Sequence, residues 1–128
     1  MVHLDDAMEM RLKKLEVVFY STETGIEPVR DWLRDLPKQD RKMIGEDIEM
    51  VQYGWPLGKP LVDSLGDGLW EVRSKLSDGR IVRSLFFIHS RFMVLVNAFI
   101  KKTRKTPKSE LELAKKRKRQ YEYYAGVV

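Results

Sequence analysis

Cysteine is absent from all 128 positions of the chain, and histidine occurs only twice. The absence of cysteine excludes a disulfide scaffold, a thiolate nucleophile and any metal site with cysteine ligands. The two histidines, His3 and His89, are far apart in the sequence, and the chain contains no glycine-rich phosphate loop and no serine elbow. We therefore expect neither a metal ion nor a cofactor.

Long apolar segments are also missing. The longest apolar runs, residues 85–88 and 92–96, have the length of strands, whereas a membrane helix needs about 20 apolar residues. The first ten residues carry acids where a secretory signal would carry lysines. We therefore expect a soluble cytoplasmic protein, with residues 1–13 as a disordered extension and residues 14–124 as a single domain.

Positive charge is concentrated near the C-terminus. Residues 101–119 contain ten Lys or Arg against two acids, a net charge of +8 in a chain whose total is +5. Such a block is typical of proteins that contact nucleic acid, an acidic membrane surface or an acidic protein. A solvated helix face or a free basic tail would have the same composition, so the block alone does not identify a partner.

The first half of the chain predicts one strand and two short helices. The strand covers residues 15–20, which are rich in valine and aromatic side chains. A helix begins at Pro28, and a second helix begins after Leu36-Pro37 and ends near Gly54. Their apolar stripes follow helical spacing and consist of Val29, Trp32, Leu33 and Leu36 in the first, and of Ile44, Ile48 and Val51 in the second.

The second half predicts an antiparallel meander and a last helix. Glycine-containing or short polar turns separate four candidate strands, residues 61–65, 69–75, 81–89 and 92–100. Thr106 and Pro107 read as the cap and first residue of a basic C-terminal helix. The fold class is therefore α+β, a strand and a helical hairpin packed on one face of a curled, mainly antiparallel sheet whose other face stays partly open.

Candidate functional residues lie on that other face. Strand alternation over residues 69–75 places Glu71, Arg73 and Lys75 together, opposite the apolar positions. Arg83 lies in an unusually apolar stretch of the next strand. It could bind a ligand, or it could pair with Glu71 and tie the sheet together. Whether Arg73 and Arg83 share a face depends on a strand register that the sequence does not determine.

A second group of cations follows the last strand. Lys101, Lys102, Arg104 and Lys105 precede a helix N-terminus, which itself favours phosphate. Two further lysines, Lys115 and Lys116, extend the group into the helix as candidate RNA contacts. A solvated strand end explains the same pattern equally well. The tyrosines at 121, 123 and 124 could stack on bases, or pack on the fold.

Two segments resemble the phage-derived HigB-like toxins of the RelE/ParE superfamily. The resemblance rests on GWPLGKPLVDSLGDGLWEVRSKLSDGRIVRSLFFI and on VLVNAFIKKTRKTPKSELELAKKR, and it extends over about residues 15–120. The specific feature is the combination of L-W-E-x-R, x-R-x-x-F-F and F-x-K-K-T-x-K-T-P. The fold of this family has the order of elements predicted above.

The resemblance implies a ribosome-dependent endoribonuclease that cleaves translated mRNA by attack of a ribose 2′-hydroxyl on the adjacent phosphate. It implies that Arg83 clamps the phosphate, that Arg73 adds a cation, and that Lys102 stabilises the leaving group. Glu71 is then either the base or the residue that holds Arg73. Several relatives use a C-terminal histidine or tyrosine for proton transfer, whereas no histidine follows His89 here.

The resemblance also implies partners. We expect a helix-turn-helix antitoxin of the HigA type, the ribosome and its mRNA, and no membrane. Two alternatives stay open on sequence grounds. A ParE-like toxin shares the fold but poisons DNA gyrase, and a non-catalytic basic module would bind nucleic acid through many additive contacts.

Overall fold

The computed structural model describes residues 13–102 and 104–126. The expected N-terminal extension therefore lies outside the described residues, except for Lys13. The chain forms five strands and three helices within this part. In chain order they are β1 (Glu16–Phe19), α1 (Pro28–Arg34), α2 (Lys38–Gly54), β2 (Val62–Gly66), β3 (Leu69–Lys75), β4 (Ile81–His89), β5 (Phe92–Lys101) and α3 (Lys108–Tyr124).

The strands form one mixed, open sheet in the order β1-β5-β4-β3-β2. The pairings β2–β3, β3–β4 and β4–β5 are antiparallel, and β1 pairs with β5 in parallel. The α+β class and the mainly antiparallel sheet are therefore confirmed. The short turns explain this order, because strands joined by a few residues pair as neighbours and antiparallel.

The helical hairpin of α1 and α2 covers one face of the sheet, which we call the first face. Ile44, Ile48 and Val51 of α2 are buried against apolar side chains of the strands. Among those strand residues are Val72 and Phe86. The apolar stripes predicted from helical spacing are therefore the surfaces that form this core.

The opposite, second face is not left open, which corrects the sequence-based expectation. Helix α3 crosses it and buries Ala114 against a second apolar cluster that includes Leu85 and Phe87. Arg117 lies over the Tyr20 ring at 5.6 Å and donates to the Val96 carbonyl oxygen at 2.8 Å. The basic helix can pack on the sheet because its long side chains cover apolar surface with their aliphatic stems.

Strands β3 and β4 have the bounds predicted from the sequence. Strand β2 is displaced by one residue from its predicted position, and β5 is one residue longer than predicted. Glycines at positive φ, Gly68 and Gly79, form the turns before these two strands. Among the helices that the structure describes, none combines the length and apolar character needed to cross a membrane.

Candidate nucleic-acid interface

The register of β3 and β4 brings the candidate residues of these strands together. Arg73 lies directly opposite Arg83. Residues directly opposite each other point to the same face, and so do residues two positions apart on one strand. Glu71, Arg73 and Arg83 therefore all point to the second face, near its end at the loop before α3.

Glu71 and Arg83 form a buried ion pair there. The exposed fraction of Glu71 is 0% and that of Arg83 is 2%. Nη1 of Arg83 donates to both carboxylate oxygens of Glu71, at 2.7 Å and 2.8 Å. Burial of two charges is tolerated because each is paired and hydrogen-bonded. The expectation that Glu71 lies on an exposed surface is therefore wrong, because the loop before α3 covers it.

That loop is attached directly to the ion pair. The Thr106 hydroxyl donates to Glu71 Oε2 at 2.8 Å and lies 2.7 Å from Arg83 Nη1. Nη2 of Arg83 donates to the Arg104 carbonyl oxygen at 2.7 Å. The sequence predicts Thr106 as the cap of the last helix, but Pro107 occupies the cap position without a side-chain hydrogen bond. The Thr106 hydroxyl donates its hydrogen bond to the buried Glu71 carboxylate instead.

Arg73 connects the buried pair to the surface. Its Nε donates to Glu71 Oε1 at 3.1 Å, and its Nη2 donates to Asp63 Oδ2 at 2.9 Å. The Arg73 side chain is still 30% exposed. These contacts fit the second of the two roles considered for Glu71, which is to hold Arg73 in place. The sequence does not predict this role of Asp63, since nothing in β2 marks it as a partner of β3.

Lys101, rather than Lys102, lies beside these side chains. Desolvation lowers the pKa of Lys101, and the cations of Arg83 and Arg73 lower that pKa further. Arg104 adds a smaller effect of the same sign. Lys102 is exposed, and no hydrogen bond or ion pair joins it to this group within residues 13–102 and 104–126. We call Arg73, Arg83, Lys101 and Arg104 the cation cluster.

A β-bulge explains why Lys101 has this position. Leu85 pairs with Asn97 but Phe86 pairs with Leu95, so Val96 is an extra residue in β5. An extra residue reverses the alternation of all later side chains. Uninterrupted alternation from Val96 would have placed Lys102 on the second face. Because of the bulge, the side chain of Lys101 points to the second face instead.

The remaining candidate RNA contacts are more dispersed. Lys75 is exposed at the end of β3, Lys105 is exposed in the loop, and Lys116 is exposed on α3. Lys115 is partly buried and pairs with Asp67 at 3.3 Å. The structure therefore places Lys75 and Lys105 at the same end of the sheet as the cation cluster, and the two α3 lysines along the helix.

The C-terminal tyrosines lie far from the cluster. Tyr121 is 15 residues after Thr106, which corresponds to roughly 20 Å of helix. Its hydroxyl lies 2.9 Å from His89 Nδ1, and burial raises the pKa of Tyr121. Within the described ranges, no group of three or more His, Asp or Glu side chains is placed to hold a metal ion.

One comparison with known proteins identifies a family. The family described as "Phage derived protein Gp49-like (DUF891)" matches residues 31–119, which include the end of α1, all of α2 and the cation cluster. A search among curated proteins finds no match. The family is RelE-like, which agrees with the resemblance stated above, while membership of the HigB-like branch stays a prediction. The chain therefore belongs to the Gp49-like family of phage-derived proteins.

Proposed function

We propose that this protein is the toxin of a type II toxin–antitoxin pair, of the HigB-like branch, and that it cleaves translated mRNA on the ribosome. The observation that supports this proposal is the cation cluster, in which Arg73 and Arg83 pair with one buried carboxylate and the charges of Lys101 and Arg104 lie nearby. Such a group suits a phosphate that gains charge during a reaction, because fixed positive charge stabilises that transition state.

The proposed reaction needs no cofactor. The ribose 2′-oxygen forms a bond to the adjacent phosphorus, while the bond from phosphorus to the 5′-oxygen breaks. The products are a 2′,3′-cyclic phosphate and a 5′-hydroxyl end. The 2′-hydroxyl loses a proton, and the leaving 5′-oxygen gains one.

The side chains divide into two roles in this proposal. Arg73, Lys101 and Arg104 are the accessible cations, and they contact the reacting phosphate. Lys101 donates the proton to the leaving oxygen, because a lowered pKa makes its ammonium a better acid at neutral pH. Arg83 and Glu71 are buried, so they act as positioning residues that hold Arg73 and the loop before α3.

The composition of the site supports the proposed dependence on the ribosome. The cation cluster contains no histidine, and the two carboxylates beside it, Glu71 and Asp63, are paired with its arginine side chains. We propose that the bound ribosome orients the ribose and supplies the remaining proton acceptor. A helix-turn-helix antitoxin is the expected neutralising partner.

The experiment compares two adjacent lysines. Cells express wild-type protein, Lys101→Ala or Lys102→Ala, and primer extension maps cuts in a translated message. We expect wild type and Lys102→Ala to arrest growth and cut the message, and Lys101→Ala to do neither. Arg83→Ala is a poor test, because it leaves Glu71 buried without its main counter-charge and destabilises the fold.

The other outcomes separate the alternatives. Growth arrest with DNA damage and intact mRNA would support the gyrase poison and contradict the nuclease. Equal toxicity of wild type and Lys101→Ala would show that the cluster is not the site. Cuts that persist when translation is blocked would contradict ribosome dependence.

A further inference from the structure

A groove opens on the first face, between the helical hairpin and strand β1. Its volume is about 300 Å³. That volume is at the low end of small-molecule pockets, so it suits one or two inserted side chains better than a whole ligand. The floor is apolar and consists of Val17, Phe19, Leu33, Ile44, Ile48 and Leu95.

Gly45 keeps the groove open. It lies inside α2, where glycine costs about 1 kcal/mol relative to alanine. A Cβ atom at this position would meet no heavy atom within 4 Å, so packing within the chain does not require glycine. Its φ is not positive either, so the backbone does not require it. The absence of a side chain at Gly45 leaves space along the groove wall.

Three arginines, Arg30, Arg34 and Arg41, line the edge of the groove. Arg30 pairs with Glu27 at 2.9 Å and Arg34 pairs with Asp31 at 3.0 Å. Both arginine side chains are more than 60% exposed, and such surface pairs are worth about 1 kcal/mol or less. A carboxylate from a partner can therefore compete for them.

Arg41 has the simplest environment of the three. Its side chain is exposed and has no hydrogen-bond or ion-pair partner within the described ranges 13–102 and 104–126. It therefore offers an unused positive charge directly beside an apolar slot. The combination fits a segment that carries an aliphatic side chain flanked by carboxylates.

We propose that this groove binds an acidic amphipathic helix of the antitoxin, with an aliphatic residue in the slot and carboxylates on the arginines. The identity of the partner rests on the proposed function, whereas its chemistry rests on the groove. RNA fits less well, because a polyanion gains nothing from an apolar floor. The groove lies on the face of the sheet opposite the cation cluster, so the antitoxin contacts the toxin without covering that cluster.

The test uses the purified product of the adjacent gene and isothermal titration calorimetry. Gly45→Leu fills the groove with a side chain, and it should weaken binding by at least about 30-fold, as loss of a central interface contact does. Gly45→Ala is the control for helix propensity and should bind much more tightly than Gly45→Leu. Circular dichroism confirms that both variants fold.

Charge is tested separately. Arg41→Glu should weaken binding, and it should also reduce the salt dependence of the affinity. Lys42→Glu changes the net charge equally, but Lys42 does not line the groove, so this control should bind nearly as wild type. Equal effects of the two reversals would show that general charge, and not the groove, determines affinity.

Toxicity distinguishes failure of this inference from failure of the proposed function. Gly45→Leu should stay toxic but escape neutralisation by the antitoxin. Wild-type binding without any growth arrest would contradict the nuclease and leave the groove supported. An adjacent-gene product that does not bind, or that binds Gly45→Leu as tightly as wild type, would overturn the inference. Loss of RNA binding in Gly45→Leu would assign the groove to RNA instead.

Discussion

Replacing Glu71 with leucine leaves the Arg83 guanidinium buried without its counter-charge. Arg83 is 2% exposed, and its Nε already has no hydrogen-bond partner among the described residues. Arg73 keeps Asp63 as a partner, but Thr106 loses its carboxylate acceptor. The perturbation therefore acts mainly through one uncompensated buried charge.

The expected loss is large. Removal of one member of a buried ion pair costs about 3–5 kcal/mol, against a total stability of roughly 5–15 kcal/mol for a domain of ordinary size. With a urea m-value of about 2 kcal/mol/M, the unfolding midpoint should fall by about 2 M. The measurement is urea unfolding followed by circular dichroism.

A second substitution separates lost charge from lost packing. Glu71→Leu/Arg83→Met removes both charges of the buried pair, so the double variant should be more stable than Glu71→Leu alone by about 2 kcal/mol. A loss below about 1 kcal/mol in Glu71→Leu would contradict a large cost of the unpaired Arg83 charge. A double variant less stable than Glu71→Leu alone would also contradict this expectation. The unpaired Arg83 charge would then not be the cause of the lost stability.

Three further variants test other parts of the structure. Gly45→Ala should raise the free energy of unfolding by up to about 1 kcal/mol in urea unfolding, because its methyl group meets no atom. Burial raises the pKa of Asp47, so the folded protein holds that proton more tightly than the unfolded chain does. The contribution of Asp47 to stability should therefore fall as pH rises above 3.8, and Asp47→Asn should remove this contribution when unfolding is measured across pH. Lys101→Arg keeps the charge but is a poor acid, so cleavage should slow by about 100-fold or more.

Much of the fold could be predicted from the sequence, because local signals determine it. Helical spacing identifies the stripes of α1 and α2, and turn residues around Gly68 and Gly79 delimit β3 and β4. The packing of α3 on the second face could not be predicted in this way. A basic run gives no sign that Arg117 and Lys118 lie over the rings of Tyr20 and Phe87.

The site was predicted only in part, because it depends on strand register. Alternation correctly places Glu71 and Arg73 on one face, but the sequence could not show that Arg83 lies opposite Arg73. Nor could it show the bulge at Val96, which exchanges the positions of Lys101 and Lys102. These relations depend on pairing between distant segments.

The most direct test of the proposed nuclease adds purified protein to a reconstituted translation system and determines the ends of the cleaved mRNA by mass spectrometry. We predict 2′,3′-cyclic phosphate and 5′-hydroxyl ends with wild type and Lys102→Ala, and no cleavage with Lys101→Ala or without ribosomes. Intact mRNA with wild-type protein on translating ribosomes, or fragments with 5′-phosphate ends, would contradict this prediction.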